Sequence, residues 1–207
     1  MSEQRRHRLR LEISREAARL FWDRGVAATS GDQIAQIVGL STRTVWRHFR
    51  SKESCAEPIV TKSVEWGMAV LRDWPRHLSL EEHFAAEVAK YGVEYDSREA
   101  ADVMLATKMI RLSDHESPLR TAWLMACDQV EHEMVGVVAK RLDRPAHDVD
   151  VRIREAAASA AFRVVNEQVG AALVSGSGLQ EFGDVPGRVA RAIRDATGGA
   201  LGDALVS

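Results

Sequence analysis

The sequence predicts an all-α protein with a small N-terminal domain of three helices, residues 1–52, followed by a larger C-terminal helical body, residues 53–207. Three observations carry this reading. Almost every long segment repeats its apolar residues at the 3.6-residue period of a helix, and none shows strand-like alternation. Residues that start and stop helices recur along the chain at helical lengths. Charge is also divided unevenly. Residues 1–52 hold 11 Lys+Arg against 5 Asp+Glu, a net of +6, and the remaining residues hold 17 against 25, a net of −8. A mild overall charge of −2 thus conceals a basic head on an acidic body, and the head is steered toward polyanions.

The first helix is expected from about Arg8 to Arg24, with Leu9, Ile13, Ala17, Leu20 and Phe21 inward and Gly25 as its stop. Ser30 and Gln33 have the spacing of a capping box for a second helix with Ile34, Ala35 and Val38 on its inner face. Gly39 then forces a tight turn, because a residue without a Cβ takes a left-handed conformation cheaply. Ser41 caps a third helix, and Leu40 and Val45 stand at hydrophobic-staple positions. The two short helices form a helix-turn-helix. Thr42, Arg43, Thr44, Trp46, Arg47 and His48 lie mostly outward, where they can donate to base edges and phosphates of double-stranded DNA. Arg5, Arg6, Arg8 and Arg10 precede this hairpin and are expected to act as a flexible arm on phosphate or in the minor groove.

These residues carry a family resemblance. Ala17, Ala18, Leu20, Phe21, Gly25, Ala28, Thr29, Ser30, Ile34, Ala35, Gly39, Ser41, Thr44, Trp46, Phe49, Lys52 and Glu53 fall in register with the pattern AA..LF...G..ATS...IA...G.S..T.Y..F..KE. The segment resembles the N-terminal DNA-binding domain of TetR-type transcriptional regulators. Trp46 departs from the pattern, since the family usually has a Tyr on the backbone phosphate there. The candidate DNA-binding set is Thr29, Ser30, Thr42, Arg43, Thr44, Trp46, Arg47, His48 and Lys52. Arg43 and Arg47 are expected on bases or phosphates and Thr42 and Thr44 on bases or methyls. Thr29, Trp46, His48 and Lys52 are expected to position phosphates.

Ser51 is expected to cap a fourth helix reaching about Trp74, with Lys52 in its first turn and Pro58 disturbing its start. Ser79 and Glu82 form a second capping box, ahead of a stripe of Leu80, Phe84, Val88, Tyr91 and Tyr95. Asp96 and Glu99 open a helix with Val103, Thr107 and Ile110 on one side and Leu105, Met109 and Leu112 on another. Pro118 fits the first turn of a long helix to about Leu142, striped by Leu119, Trp123, Cys127, Val130, Met134 and Val137. A helix over about Val151–Ser175 is apolar on more than one side, and a last one starts near Val185. Small residues at 156–161, with Val164, Val165 and Val169, make these last two helices the candidate homodimer interface. The resemblance implies a four-helix bundle between subunits and an inverted-repeat operator.

The resemblance further implies a ligand-binding and dimerisation body that responds to a small organic effector and a repressor released from DNA on binding it. Large or polar residues in the body nominate Trp66, Tyr91, Tyr95, Met104, Met109, Trp123, Phe162 and Asn166 as effector contacts. An internal hydrogen bond would satisfy Asn166 as well as a ligand would. The alternative is a regulator controlled by a protein partner or by its own abundance. No metal-ligand spacing, nucleophile elbow or phosphate-cradling glycine loop occurs, so no cofactor, metal or enzyme activity is expected. No apolar run approaches the roughly 20 residues of a membrane span, so the protein is expected in the cytoplasm. Cys55 and Cys127 are expected to be buried thiols.

Overall fold

A computed structural model describes residues 2–94, 97–175 and 184–205, with only the backbone described at Trp66, residues 91–94, Ser97 and Leu173. The helices are α1 (Glu3–Arg24), α2 (Gly31–Ile37), α3 (Thr42–Trp46), α4 (Glu57–Arg72), α5 (Leu80–Glu94), α6 (Ser97–Leu112), α7 (Ser117–Leu142), α8 (Val149–Ser175) and α9 (Val185–Ala196). There is no strand among the described residues. The chain forms two compact units, one of Met1–Ser63 with Ser97–Ala126 and one of Val64–Asp96 with Cys127–Ser207.

In the first unit α1 packs against α2 and α6, and α2 against α3. Ile13, Ala17, Phe21, Ile34, Val45 and Ile59 have little or no exposed surface, which fixes the inner faces of all four N-terminal helices. Helix α1 begins earlier than the apolar period suggests. Ser2 accepts a hydrogen bond from the Arg5 amide, and the helix runs from Glu3. Arg5, Arg6, Arg8 and Arg10 therefore sit on a helix instead of a flexible arm.

The start of α4 also differs. A 3-10 turn at Glu53–Ala56 comes first, and α4 begins at Glu57 with Pro58 at its second position, where the missing N–H is harmless. Ser51 and Ser54 bond one another, each hydroxyl accepting the other's amide, so Ser51 acts ahead of the turn and does not cap α4. One of α4's free amides is satisfied from α1, where the fully buried Ser14 hydroxyl accepts from the Ile59 N–H at 3.0 Å. Cys55 is buried, and burial followed by the charges of Glu53 and Glu57 pushes its thiol up to about 12; Cys127 is half-buried.

The main polar contact in this unit is a carboxylate between two cations. Asp102 on α6 is 4% exposed and accepts a forked pair of bonds from Arg15 on α1, at 2.6 and 2.7 Å. Lys62 on α4 adds a third, at 2.6 Å. Burial alone would push the Asp102 carboxyl up. The bonds from Arg15 and then Lys62 outweigh it and hold the group below its ordinary value.

In the second unit α9 packs against α5 and α8. Both bonds of the Ser79–Glu82 capping box form at the head of α5. Of that helix's expected stripe, Leu80 and Phe84 are buried while Val88 is 40% exposed. In the first unit, Val103 on α6 also turns outward. Helix α7 starts with Pro118 in its first turn, as expected, and buries Leu119 and Trp123 in the first unit and Val130 and Met134 in the second.

Replacing Asp102 by Asn leaves the buried Arg15 guanidinium and the half-buried Lys62 ammonium without their carboxylate and should destabilise the first unit by about 3–5 kcal/mol. Because the folded carboxyl is held low, the contribution is present above the unfolded value and is lost as pH falls through the folded one. Urea titrations of wild-type and Asp102→Asn protein at pH 7 and pH 3 check this. The difference should shrink in acid.

Candidate nucleic-acid interface

The reading hairpin is built by local capping. Ser30 accepts from the Gln33 amide at 3.2 Å, and the Gln33 side chain accepts from the Ser30 amide at 2.8 Å. At Gly39 the backbone turns to φ +67°, and the Leu40 N–H reaches back to the Ala35 carbonyl at 2.9 Å. Ser41 caps α3 through the Thr44 amide. The buried Val45 anchors the inner side of α3, leaving Arg43, Trp46 and Arg47 exposed on the outer side.

Arg43 and Arg47 form no ion pair among the described residues, so both guanidinium groups are available to an anionic partner. Thr42 and Thr44 are already engaged, Thr42 donating to Asp32 at 2.6 Å and Thr44 bonding the Ser41 hydroxyl at 2.8 Å. Contact with a base would require these hydroxyls to rotate or share. Trp46 is 42% exposed and lies across the first residue of α2. A Cβ at Gly31 would sit 2.0 Å from its Cζ2, so the indole fits there because Gly31 has no side chain. Neither Gly31 nor Asp32 belongs to the candidate DNA-binding set that the sequence nominates. The only local signal for Gly31 is a glycine directly after a helix cap, a position that by itself has several meanings.

Two expected phosphate contacts face inward. Thr29 is 1% exposed and its hydroxyl donates to the Gly25 carbonyl at 2.9 Å. The Lys52 ammonium donates to the carbonyls of Val26 at 2.7 Å and Thr29 at 2.9 Å. Both side chains close the 25–29 loop between α1 and α2, and Lys52 lies before the 3-10 turn, not in the first turn of a helix. Ser30 serves as the cap described above.

The end of α3 meets the basic face of α1. The Arg10 guanidinium stacks over the Phe49 ring at 5.1 Å. The His48 Nε2 is buried without a hydrogen-bond partner. Burial, then the charges of Arg47, Arg6 and Arg10, hold the His48 imidazole below its ordinary value. The residues converge as a cationic surface carried on rigid helices, which is a geometry for gripping the sugar-phosphate backbone beside a groove-reading helix.

The effector candidates are not gathered in this way. Met109 and Trp123 are 1% exposed in the first unit, and Met104 on the same unit is exposed. Phe162 and Asn166 belong to α8 in the second unit, where the Asn166 amide donates to the Phe162 carbonyl at 2.8 Å. Tyr95 and the side chains of Trp66 and Tyr91 lie outside the described residues.

This assembly defines a helix-turn-helix DNA-binding protein. Residues 13–59 match the family of bacterial regulatory proteins, tetR family. The HTH-type transcriptional regulator TcmR of Streptomyces glaucescens is 29% identical over 171 residues, spanning 82% of this chain and 74% of that protein. The HTH-type transcriptional repressor KstR2 of Mycolicibacterium smegmatis is 35% identical over 55 residues, 27% of each chain. Two solved structures share the fold. A TetR-family transcriptional regulator from Mesorhizobium loti aligns with TM-score 0.55 at 18% identity, covering 95% of this chain and 98% of that one. Thermus thermophilus FadR, a TetR-family transcriptional repressor in complex with lauroyl-CoA, aligns with TM-score 0.52 at 14% identity, covering 96% and 98%. Residues 13–59 thus match a TetR-type DNA-binding domain, and over most of its length the chain is similar to a transcriptional regulator that carries one.

His48 gives this surface a pH signature. In the free protein the depressed imidazole value means that the unfolded chain binds more protons, so stability should fall as pH drops through the ordinary histidine range. His48→Gln should flatten this profile, measured by urea titration across pH 5.5–7.5. Thr29→Val, by contrast, should lower stability by about 1 kcal/mol while leaving the salt slope of DNA binding unchanged.

Proposed function

We propose that this regulator is a cytoplasmic homodimeric repressor that reads an inverted-repeat operator and is released from it by a small organic effector. The observation that carries the reading is the outward set of Arg43, Trp46 and Arg47 on a capped α3, beside the helical arginine face of α1. Residues 1–52 read the DNA, and residues 53–207 carry the effector and dimer contacts.

Dimer formation is supported by an unpartnered stripe on α8. Val149 is 70% exposed, Ile153 62% and Val164 42%. Ala156 and Ala160 are exposed between them. The spacing keeps all five on one helical face, with small residues at its middle where a second helix can approach closely. Val165 and Val169, expected in the same contact, point inward and belong to the subunit's own core. A two-fold pairing presents two reading heads and so favours an inverted repeat.

Effector control is supported by the bound lauroyl-CoA of Thermus thermophilus FadR, which shares the fold. An effector acts only through a difference in affinity between the DNA-competent and released forms. The second reading, control by a protein partner or by abundance, is favoured by the filled environment of Met109 and Trp123 and by the internally satisfied Asn166 amide. The similarity of 55 residues to the repressor KstR2 supports the sign of regulation. No described helix is long and apolar enough to cross a membrane, which accords with the cytoplasmic placement.

Selection of bound duplexes from a random library, at a stated moderate salt concentration, tests the reading. An inverted repeat is the expected product, and binding without a consensus would overturn sequence-specific regulation. Ile153→Glu should convert a dimer into a monomer by light scattering and weaken operator binding at least tenfold without altering far-UV circular dichroism. An unchanged dimer would remove α8 from the interface.

A further inference from the structure

The second unit holds a cleft of about 640 Å³ between the end of α4, the loop after it and the second half of α7. Its charge is unbalanced. Arg72, Arg76, Lys140 and Arg141 line it against Asp73 and Glu133, and the Arg72–Glu133 pair, at 3.6 Å, uses one of each sign. Arg76, Lys140 and Arg141 form no ion pair with any described carboxylate.

Arg141 is the informative residue because it is only 6% exposed. Its guanidinium lies 3.5 Å from the centre of the Trp74 ring and donates to the carbonyls of Pro75 at 2.9 Å and Asp203 at 2.6 Å. Carbonyl dipoles and an aromatic face hold it in position, but no carboxylate compensates its charge. Burial, and then the charge of Arg76, lower its pKa, with no acidic group acting the other way. A buried cation without a counter-charge is costly, and its cost falls when an anion binds nearby. Arg76 is placed beside it, donating to the Lys140 carbonyl at 3.1 Å.

The rest of the wall is apolar. Leu71, Trp74, Pro75 and Val137 line it. At Gly136 a Cβ would meet nothing within 4 Å, so the α7 side of the cleft is open down to the backbone. Cationic groups beside an apolar wall suit a small amphipathic anion.

We infer that the Arg76–Lys140–Arg141 cleft is a binding site for a small organic anion, with its carboxylate, phosphate or sulfonate on the three cations and its apolar part against Pro75, Val137 and the open face of Gly136. The site uses none of the residues proposed for effector contact and stands whether or not its ligand releases DNA.

Isothermal titration with naphthalene-2-carboxylate, decanoate and phenyl phosphate tests it, using naphthalene-2-carboxamide as the neutral control. At least one anion should bind with submillimolar Kd and the amide at least tenfold more weakly. Arg76→Gln and Lys140→Gln are exposed changes that should each weaken the anion at least fivefold. Gly136→Leu should abolish binding by filling the cleft. This variant replaces a helix-interior glycine, so its thermal midpoint should be no lower than that of the wild type. Equal affinity for acid and amide, unchanged affinity in the folded Gly136→Leu protein, or no anion binding below 10 mM would each overturn the assignment. Anion binding that follows these variants while the operator complex stays intact would confirm the site and separate it from effector control.

Discussion

The Asp102 carboxylate is the constraint on which the first unit depends. It sits on α6, is buried, and is held by Arg15 of α1 and Lys62 of α4, helices far apart in sequence. Such a group is unforgiving, since the burial of Asp102 and Arg15 depends on their mutual compensation. α1, which braces the reading hairpin, thereby has its orientation fixed against α6 by forked geometry that tolerates little sliding. The Ser14 hydroxyl on the Ile59 amide adds a second tie between α1 and the start of α4.

Around that scaffold the reading surface follows from what is already bonded. Thr29 and Lys52 close the loop leading into α2, and Ser30 and Ser41 cap the two hairpin helices. What remains outward is Arg43, Trp46 and Arg47, with the arginines of α1 alongside. A basic face on a helix loses less conformational entropy on binding than a free arm would, and its charges are set at fixed spacing before DNA arrives. Trp46 shows the same economy of space, since its indole rests where α2 begins with Gly31.

Much of this was legible because it is local. Both capping boxes, the Gly39 turn, the inward Val45 and the Pro118 start of α7 depend on residues within a few positions of one another, and the sequence displays them directly. Longer-range contacts were not legible. Nothing near Lys52 announces that its ammonium belongs to carbonyls 23 and 26 residues upstream, and a buried threonine reads like an exposed one. The N-terminal arginines resembled a free arm because that stretch is polar all round; Ser2 and the charge-rich first turns extend the helix through it. The effector candidates failed to converge for a related reason. Large apolar residues at helical spacing describe a core as well as a pocket, and only packing separates Met109 and Trp123 inside from Met104 outside.

The charge pattern extends beyond the head. Although the body is acidic overall, Arg76, Lys140 and Arg141 concentrate uncompensated positive charge at one cleft, a grouping that net charge hides. The buried Asp102 carboxylate and its cations should make α1, α6 and the reading hairpin one cooperative block. Amide hydrogen exchange on wild-type and Asp102→Asn protein under native conditions tests it most directly. Buried amides of α1, α2 and α6 should open together in the wild type and lose protection by a common factor in the variant. Loss confined to α6, with α1 and α2 unchanged, would contradict it.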